Sequence, residues 1–482
     1  MGKSDRGVHA VRRRITLLGE RIGLMRTKNI VATICMLGVL VCGADARTFN
    51  HVIVVIQENR TPDNLFGSNP SFEPGVDIAT SGLNSKNQLI SFTPVDLANC
   101  YDLGHGHATF VAAYNKGLMN GWDKVAVSLR PGCVAGPNPQ FRYADNSTGT
   151  IQPYFDLATQ YGFANRMFQT NQGPSFPAHQ FLFGATSSPT VDSPIFASEN
   201  PHALHGGFNG CASIPGTYVT TIDPNGKSGT TFPCFDRPTV ADLLDGAGLT
   251  WKYYTPGSNT IITAPNAIKA ICNAQVVNGK TVCTGTEWQK VVVMTPSKML
   301  LDIGKCDLAN VNWIVPIGQN SDHAVGNTGG GPSWVASIVN AVGNAPTCPN
   351  GEVMWQDTAI LVTWDDWGGW FDHVPPPRIG QANGWGQSYV YGLRVPLLVI
   401  SAYTPAGYVD NTVHDFGSIL RFVESNFGLG LIGPGTYADS YADDLMEFFP
   451  LSAPRAFNKI NSRFDANHFI LSKEPPTDPD DD

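Results

Sequence analysis

Apolar, β-branched runs that end in polar side chains recur along the chain. The two clearest runs are residues 51–56 and Thr358–Trp364, where almost every position is hydrophobic or β-branched. A strand buried on both faces, as in the parallel sheet of an α/β protein, has this composition. Shorter runs of the same kind predict further strands at 162–168, 251–254, 310–316 and 395–401.

Segments with helical spacing of apolar residues alternate with these strands. The spacing predicts helices at 108–116, 152–161, 239–248, 333–342 and 416–427. Strands that alternate with helices predict an α/β fold around a largely parallel sheet. The chain shows no internal repeat and no linker long enough to separate two domains, so we expect a single domain over residues 47–470.

Carboxylates follow both of the long apolar runs. Asp365 and Asp366 come directly after the second run, and Glu58 and Asn59 follow the first. Adjacent carboxylates beside a buried strand repel each other and are costly to desolvate, and a cation between them offsets both effects. A polar turn would also place one such pair here. The occurrence of such a pair after each of two strands favours a divalent cation held by oxygen ligands at the carboxyl edge of the sheet.

A hydroxyl and several histidines stand near other predicted strand ends. Ser175 lies in a proline-rich turn ahead of a segment at 180–186, where the amino end of a helix would favour an alkoxide or an anionic adduct. Asp322 and His323 follow the strand at 310–316, and the loop after Ser401 is a less clear case. Singly, a serine of this kind is more often a helix cap. Around a cation, these groups suit hydrolysis of an anionic ester, since the metal lowers the hydroxyl pKa and a histidine protonates the leaving group.

Composition and charge exclude some classes of function. Hydrophobic residues make up 42% of the chain and charged residues 15%, as in a globular protein, and the net charge is −9. This balance argues against binding of nucleic acid through a basic face. The 50 glycines and 35 prolines predict long ordered loops. The acidic stretch 471–482 has the composition of a disordered tail.

The amino-terminal region and the cysteines both indicate export. Lys28, the apolar run 30–43 and Ala44-Asp45-Ala46 have the pattern of a secretory signal peptide within residues 1–46, preceded by an extension unless translation begins at Met25. The eight cysteines after residue 46 permit four disulfides in 105 connectivities. Short separations favour Cys272–Cys283 and Cys211–Cys234, which leaves Cys100–Cys133 and Cys306–Cys348. We therefore expect a secreted or periplasmic protein.

Four motifs stand in order along residues 50–430. They are Gln57-Glu-Asn-Arg-Thr-Pro-Asp-Asn-Leu-Phe-Gly67, Gly173-Pro-Ser-Phe-Pro177, Asn320-Ser-Asp-His323 and Thr363-Trp-Asp-Asp-Trp-Gly-Gly-Trp-Phe-Asp-His-Val-Pro-Pro-Pro377. These motifs resemble the bacterial phosphoesterase family, which contains nonspecific phospholipases C and secreted acid phosphatases and belongs to the alkaline-phosphatase-like superfamily. Each fragment alone is a weak signal, but together they are specific.

We expect the Gly-, Asn- and Thr-rich stretches 190–235 and 255–300, which carry four of the cysteines, to be disulfide-stapled loop insertions that cap the sheet and shape the mouth of a pocket. The resemblance implies a three-layer α/β/α sandwich, and it assigns roles to residues. The metal ligands would be Glu58, Asn59, Asp365 and Asp366, and Ser175 would be the nucleophile that forms a phosphoseryl intermediate. The active-site histidines would be His105, His323 and His373, with Asp322 and Asp372 in support. Oxygen ligation leaves calcium, magnesium, manganese and iron open as the divalent cation.

The function expected from the sequence is a secreted, metal-dependent hydrolase of phosphoric esters. Its substrate is either a small phosphomonoester, as for an acid phosphatase, or a phospholipid-type phosphodiester, as for a phospholipase C. The second substrate class implies transient contact with a membrane surface. We expect no nucleic-acid partner and no obligate protein partner. The alternative is an inactive binding module that retains the fold, against which the intact set of proposed ligands and the serine argue.

Overall fold

A single sheet of eight strands forms the centre of the protein. The structure is a computed structural model that describes residues 48–202, 210–379 and 389–479, so the predicted signal peptide lies outside the described residues. In chain order the strands of this sheet are β1 (His51–Gln57), β2 (Gly162–Ala164), β3 (Trp251–Tyr254), β4 (Val292–Val293), β5 (Val311–Ile314), β6 (Thr358–Trp364), β7 (Leu397–Ile400) and β8 (Tyr408–Asp410).

The sheet is mostly parallel, as predicted. Its spatial order is β4-β3-β5-β1-β6-β7-β2-β8. Neighbouring strands are parallel except at β7, which pairs antiparallel with β6 and with β2. The two central strands, β1 and β6, are buried at every residue, which confirms the prediction of strands covered on both faces.

Helices cover the sheet in two groups. The described helices are α1 (Pro62–Phe66), α2 (His107–Tyr114), α3 (Gln152–Gln160), α4 (Ser175–Gly184), α5 (Val240–Gly246), α6 (Lys269–Cys272), α7 (Thr286–Val291), α8 (Lys298–Gly304), α9 (Gly331–Gly343), α10 (Met354–Asp357), α11 (Phe416–Phe427) and α12 (Ala466–Leu471). Helix α9 packs against α3, α8, α10 and α12, whereas α4 packs against α5 and α11. This arrangement confirms the predicted α/β/α architecture.

Several boundaries differ from those predicted. Helix α4 begins at Ser175 itself and not near residue 180, so Ser175 is the first helical residue. Helix α9 begins at Gly331, with Pro332 in its first turn, so Ser333 lies inside the helix and is not its cap. The predicted strand 162–168 is divided into β2 and a separate strand, Met167–Phe168, which pairs with His414–Asp415.

Short strands and 3₁₀ turns build the loops at the sheet edges. The minor strands are Ser81–Leu83 with Leu89–Ser91, Thr93–Val95 with Arg142–Ala144, Tyr101–Leu103 with Val127–Leu129, Phe196–Ala197 with Val219–Ile222 and Ser228–Thr231, Ala274–Val277 with Lys280–Cys283, and Arg378–Ile379 with Tyr389–Val390. The 3₁₀ turns are Asn115–Gly117, Trp122–Lys124, Gly210–Ala212, Ala264–Ala267, Gly318–Asn320, Ala438–Ser440 and Met446–Phe448.

Four disulfides close these loops. They join Cys100 to Cys133, Cys211 to Cys234, Cys272 to Cys283 and Cys306 to Cys348. The two pairs favoured by their short separations and the two that remained are therefore confirmed.

The segment after α12 contacts the domain. The Pro475 carbonyl accepts a hydrogen bond from the Gln319 side chain, and the Thr477 carbonyl accepts one from the Gly318 amide. These contacts hold part of the stretch 471–482, which we predicted to be a disordered acidic tail, against the domain. Residues 480–482 lie outside the described residues. Among the residues that the structure describes, no helix has the length and apolar character needed to cross a membrane.

Candidate active site

The register of the two central strands brings the predicted metal ligands together. Gln57 pairs with Trp364, and the Asp365 amide donates to the Gln57 carbonyl over 2.9 Å. The residues that follow, Glu58 and Asp365, therefore leave the sheet side by side at its carboxyl edge. The side chains of the four predicted ligands are fully buried.

Tight backbone turns follow both strands. Asn59 has a φ of 60°, a left-handed conformation that asparagine tolerates better than most residues. Gly368 has a φ of 58°, and a Cβ there would lie 2.4 Å from the Asn59 carbonyl oxygen. Only glycine fits this approach, which explains the Gly-Gly pair after the two aspartates.

Ser175 stands at the amino end of a ten-residue helix and faces this cluster. Its Oγ donates a hydrogen bond of 3.0 Å to Asp366 Oδ2, and the side chain is fully buried. The helix dipole favours negative charge at this position, where the Phe176 amide donates to Asn200 Oδ1 over 2.9 Å. The arrangement suits a serine oxygen that attacks an anionic group.

Two of the three predicted histidines join the cluster. His105 Nε2 lies 4.0 Å from Asp366 Oδ2, and the His105 and His323 rings are 6.0 Å apart between centroids. His105 Nδ1 is 2.8 Å from the Leu103 carbonyl, so Nδ1 carries a proton and Nε2 points into the site. His323 Nδ1 likewise donates to the Ala324 carbonyl.

The Asn59 side chain lies among the same carboxylates. Its NH₂ group donates to Asp365 Oδ1 and to both carboxylate oxygens of Asp366 over 3.2 Å, and its oxygen accepts from His323 Nε2 over 2.9 Å. A cation between the carboxylates would take the Asn59 oxygen as a ligand once the amide turned over.

His179 approaches the same carboxylates and was missed by the sequence reasoning. Its Nε2 lies 3.9 Å from Glu58 Oε1 and 3.8 Å from Asp365 Oδ2. The Tyr253 hydroxyl donates to the Ile262 carbonyl, so its oxygen accepts from His179 Nδ1 over 3.3 Å and leaves the Nε2 lone pair facing the carboxylates. The spacing from Ser175 to His179, four residues along one helix, places both on one face and was the available signal.

The other predicted residues lie apart from Ser175. Asp322 is buried, and its Oδ2 accepts hydrogen bonds from the Tyr154 hydroxyl at 2.7 Å and the Trp364 indole at 3.0 Å. Burial outweighs the charge of Arg60 and these hydrogen bonds, and it raises the pKa of Asp322 to about 6. Asp322 therefore supports the strand end that carries the ligands.

His373 and Asp372 belong to a separate ionic network. His373 Nδ1 lies 2.8 Å from Asp63 Oδ2, and its Nε2 lies 3.0 Å from Asp77 Oδ1. The Asp372 carboxylate forms an ion pair with Arg394, whose guanidinium also reaches Asp63. The structure does not bring His373 or Asp372 to Ser175, and sequence reasoning did not identify Asp63 or Arg394.

Two clefts reach the cluster. A cleft of about 470 Å³ is lined by His105, Pro174, Glu199 and Asn200, and a second of about 700 Å³ is lined by His323 and by the exposed residues Val127 and Leu129. Asp102 and Gly104 line both clefts. Burial raises the pKa of Glu199, although a hydrogen bond from the His107 amide and the charge of His105 oppose it.

The insertions contribute unequally to these clefts. Residues 190–235, which we expected to shape a pocket mouth, supply Glu199, Asn200 and Thr220 to the first cleft. The insertion 255–300 supplies the edge strand β4 and, among the described residues, none of the lining of either cleft. The loop after Ser401 is also remote. Because β7 runs antiparallel, Ile400 pairs with Ile360 near the start of β6, so the expectation that this loop joins the site is wrong.

Comparison with known proteins assigns the family. A profile of the Phosphoesterase family matches residues 49–430. The chain belongs to the Phosphoesterase family. All of the clustered residues described above lie within the matched range.

Phospholipases C of several organisms resemble the chain. It is 24% identical over 442 residues to a non-hemolytic phospholipase C of Pseudomonas aeruginosa, covering 84% of this chain and 57% of that protein. It is also 24% identical over 467 residues to phospholipase C B of Mycobacterium tuberculosis, covering 87% and 81% of the two chains. The non-specific phospholipase C1 of Arabidopsis thaliana is 23% identical over 386 residues, or 74% and 61%. The chain thus spans little more than half of the Pseudomonas protein.

A solved structure from Vibrio parahaemolyticus, described as a protein in the alkaline phosphatase superfamily, aligns with a TM-score of 0.34 and 11% identity. The alignment covers 87% of this chain and 74% of that one. This score is too low to carry an argument about function.

Proposed function

We propose that this protein hydrolyses phosphoric esters, with Ser175 as the nucleophile and a divalent cation bound by Glu58, Asn59, Asp365 and Asp366. The observation that carries the proposal is the Ser175 hydroxyl at a helix amino end, 3.0 Å from a carboxylate of the cluster. Membership of the Phosphoesterase family and the phospholipase C names of the relatives support the same reaction class.

The cation would lower the pKa of the serine hydroxyl and neutralise charge on the phosphoryl oxygens. The donor set fits this role, because carboxylate and amide oxygens suit a hard divalent cation. His179, whose Nε2 faces Glu58 and Asp365, is a further candidate ligand. One imidazole beside oxygen donors extends the candidates to zinc as well as manganese and iron.

The side chains around Ser175 take the other roles in the reaction. Ser175 Oγ attacks phosphorus, and the bond from phosphorus to the leaving alcohol oxygen breaks. Asp366 Oδ2 is placed to accept the serine hydrogen. His105 or His323, protonated at Nε2, donates a proton to the departing alkoxide. Water then attacks the phosphorus of the phosphoseryl group, the bond to Ser175 Oγ breaks, and phosphate or the phosphorylated head group is released.

We propose a phospholipid-type diester as the substrate class, with a small phosphomonoester as the second candidate. The observation that favours a lipid is the wide second cleft, which joins His323 to the exposed apolar side chains of Val127 and Leu129. Apolar side chains at the rim of a cleft suit transient contact with a membrane surface. The four disulfides are consistent with an extracytoplasmic location, which we include in the proposal.

Hydrolysis of p-nitrophenyl phosphate, p-nitrophenylphosphorylcholine and phosphatidylcholine vesicles, each with and without chelator, tests the proposal. We expect Ser175→Ala to lose at least about 10³-fold in kcat on every substrate that the wild type turns over, because the covalent route is removed. Chelation should abolish turnover, and added divalent metal should restore it. Ser91→Ala, at an exposed serine that lines neither cleft, is the matched control.

The outcomes separate the candidates. Turnover of the diesters supports the phospholipase C assignment, and turnover of the monoester alone supports an acid phosphatase. Unchanged activity in Ser175→Ala would contradict the assigned nucleophile. Absence of turnover on all three substrates with metal supplied would favour the inactive binding module.

A further inference from the structure

A second group of metal-ligating side chains lies at the edge of the sheet, away from Ser175. Asp410 ends the edge strand β8, His414 precedes α11, and Glu447 belongs to the 3₁₀ turn Met446–Phe448. One ligand atom from each of these three residues lies within 4.8 Å of the others. None of the three is part of the proposed catalytic site.

The separations match those of ligands on one ion. His414 Nε2 is 3.0 Å from Asp410 Oδ2 and 3.4 Å from Glu447 Oε1. Two ligands at about 2.1 Å from a metal ion, at angles between octahedral and tetrahedral, are about 3.0 to 3.4 Å apart. A single ion therefore fits between the three atoms with little movement of the side chains.

The burial and hydrogen bonding of the His414 ring are a second observation that supports a bound metal ion. Its side chain is fully buried, and its Nδ1 makes no hydrogen bond to any described residue. Nδ1 points instead toward Asp443 Oδ1 at 3.7 Å. With a metal on Nε2, the ring proton sits on Nδ1 and faces this carboxylate, the usual arrangement behind a metal-bound histidine.

The charges around His414 also require a cation. Asp410, Asp443 and Glu447 all face the imidazole, and no described lysine or arginine forms an ion pair with any of them. A divalent cation between these side chains balances two of the three charges, whereas a neutral imidazole balances none.

We propose that Asp410, His414 and Glu447 bind a second divalent metal ion, of the transition series, that joins the edge strand to the segment 443–447. Mixed imidazole and carboxylate ligation favours Zn²⁺ or Mn²⁺ over Ca²⁺, which prefers oxygen ligands alone. The ion would stabilise the fold, since it ties Asp410 and His414, four residues apart, to Glu447, which lies 33 residues beyond His414 in the chain.

Metal stoichiometry on the full chain tests this inference. Protein stripped with EDTA is titrated with Zn²⁺ and, after removal of excess metal, analysed for zinc by mass spectrometry. We expect two equivalents per wild-type chain and one in Glu447→Gln, His414→Gln or Asp366→Asn. Combining Glu447→Gln with Asp366→Asn should remove both. Glu474→Gln, an exposed glutamate, should retain two.

Glu447→Gln is the decisive variant, because the partly exposed Glu447 side chain tolerates substitution better than the buried His414. Zinc should still raise the Tm of Asp366→Asn, which keeps the second site, and this rise should disappear when Glu447→Gln is added. A wild-type chain that binds one zinc ion, retained in Glu447→Gln and lost in Asp366→Asn, overturns the inference and leaves the catalytic proposal standing. Two ions in Glu447→Gln overturn it as well.

Discussion

His179 directs a ring nitrogen lone pair toward buried carboxylates. A neighbour on the other side sets its orientation, because the Tyr253 hydroxyl oxygen accepts from His179 Nδ1. A lone pair facing Glu58 and Asp365 would repel these carboxylates, and a cation turns this repulsion into coordination. The metal hypothesis therefore depends on this nitrogen as much as on the count of acidic residues.

Replacing His179 by glutamine tests its role as a ligand. We expect His179→Gln to weaken divalent-metal affinity by about 10- to 100-fold, the range typical of lost metal-site groups, while the fold persists. The measurement is the free-metal concentration that restores half of the maximal activity of the stripped protein. His202→Gln, whose exposed ring stacks on Tyr218 at the cleft, is the control. Equal metal requirements in wild type and His179→Gln would show that His179 is not a ligand.

At the scale of elements, an ionic network joins the loops that follow β1 and β6. Asp63 in α1 accepts hydrogen bonds from His373 and Arg394, and Arg394 also pairs with Asp372. Arg394 reaches this edge because the antiparallel strand β7 begins there. The two loops that carry the proposed metal ligands are thus held together by residues that are not among those ligands.

The charge on His373 makes this network sensitive to pH. Burial lowers its pKa, but the hydrogen bond and charge of Asp63, with the charge of Asp372, outweigh burial and raise the pKa to about 9. In the unfolded chain the value is about 6.5. The contribution of His373 to stability is therefore complete below pH 6.5 and is lost as the pH rises toward 9.

Urea unfolding between pH 6 and 9.5 measures this contribution. We expect the free energy of unfolding to fall across this interval in the wild type and to fall less steeply in His373→Gln, which cannot titrate. His468→Gln, in the terminal helix α12, should keep the wild-type slope. Parallel slopes in wild type and His373→Gln would contradict the assigned pKa.

For the whole molecule, disulfides join segments that lie far apart in sequence. Cys306 follows α8 and Cys348 follows α9, and their bond closes 42 residues, whereas Cys272–Cys283 closes 11. In the chain-entropy account a longer loop gains more from closure, about 4 kcal/mol for the first bond and about 3 kcal/mol for the second. The bond between the α8 and α9 segments should therefore matter more to global stability.

Paired alanine substitutions check this ranking. We expect Cys306→Ala/Cys348→Ala to lower the free energy of unfolding by up to about 4 kcal/mol, and Cys272→Ala/Cys283→Ala by about 3 kcal/mol. Guanidinium unfolding of both variants beside the wild type gives the values. A larger loss from the shorter loop would show that native-state packing, and not chain entropy, sets the contribution of these bonds.

Local patterns in the sequence were sufficient for the fold class and for much of the site. The apolar runs of β1 and β6 predicted the burial on both faces that the structure has, and the acidic residues after them predicted where oxygen ligands would lie. These inferences hold because strand burial and strand-end chemistry are encoded within a few consecutive residues. Short separations similarly favoured two of the four disulfides.

The tertiary structure decided what depends on the direction and register of distant segments. The antiparallel course of β7 takes Ser401 away from the site and brings Arg394 to the carboxyl edge of the sheet, where it pairs with Asp372. His373 hydrogen-bonds to Asp63 and not to Ser175. Only the folded chain shows His179 beside Glu58, or His414 between Asp410 and Glu447. The sequence shows which residues can act in catalysis or bind a metal. The distances between these residues depend on long-range packing, which a short stretch of sequence does not determine.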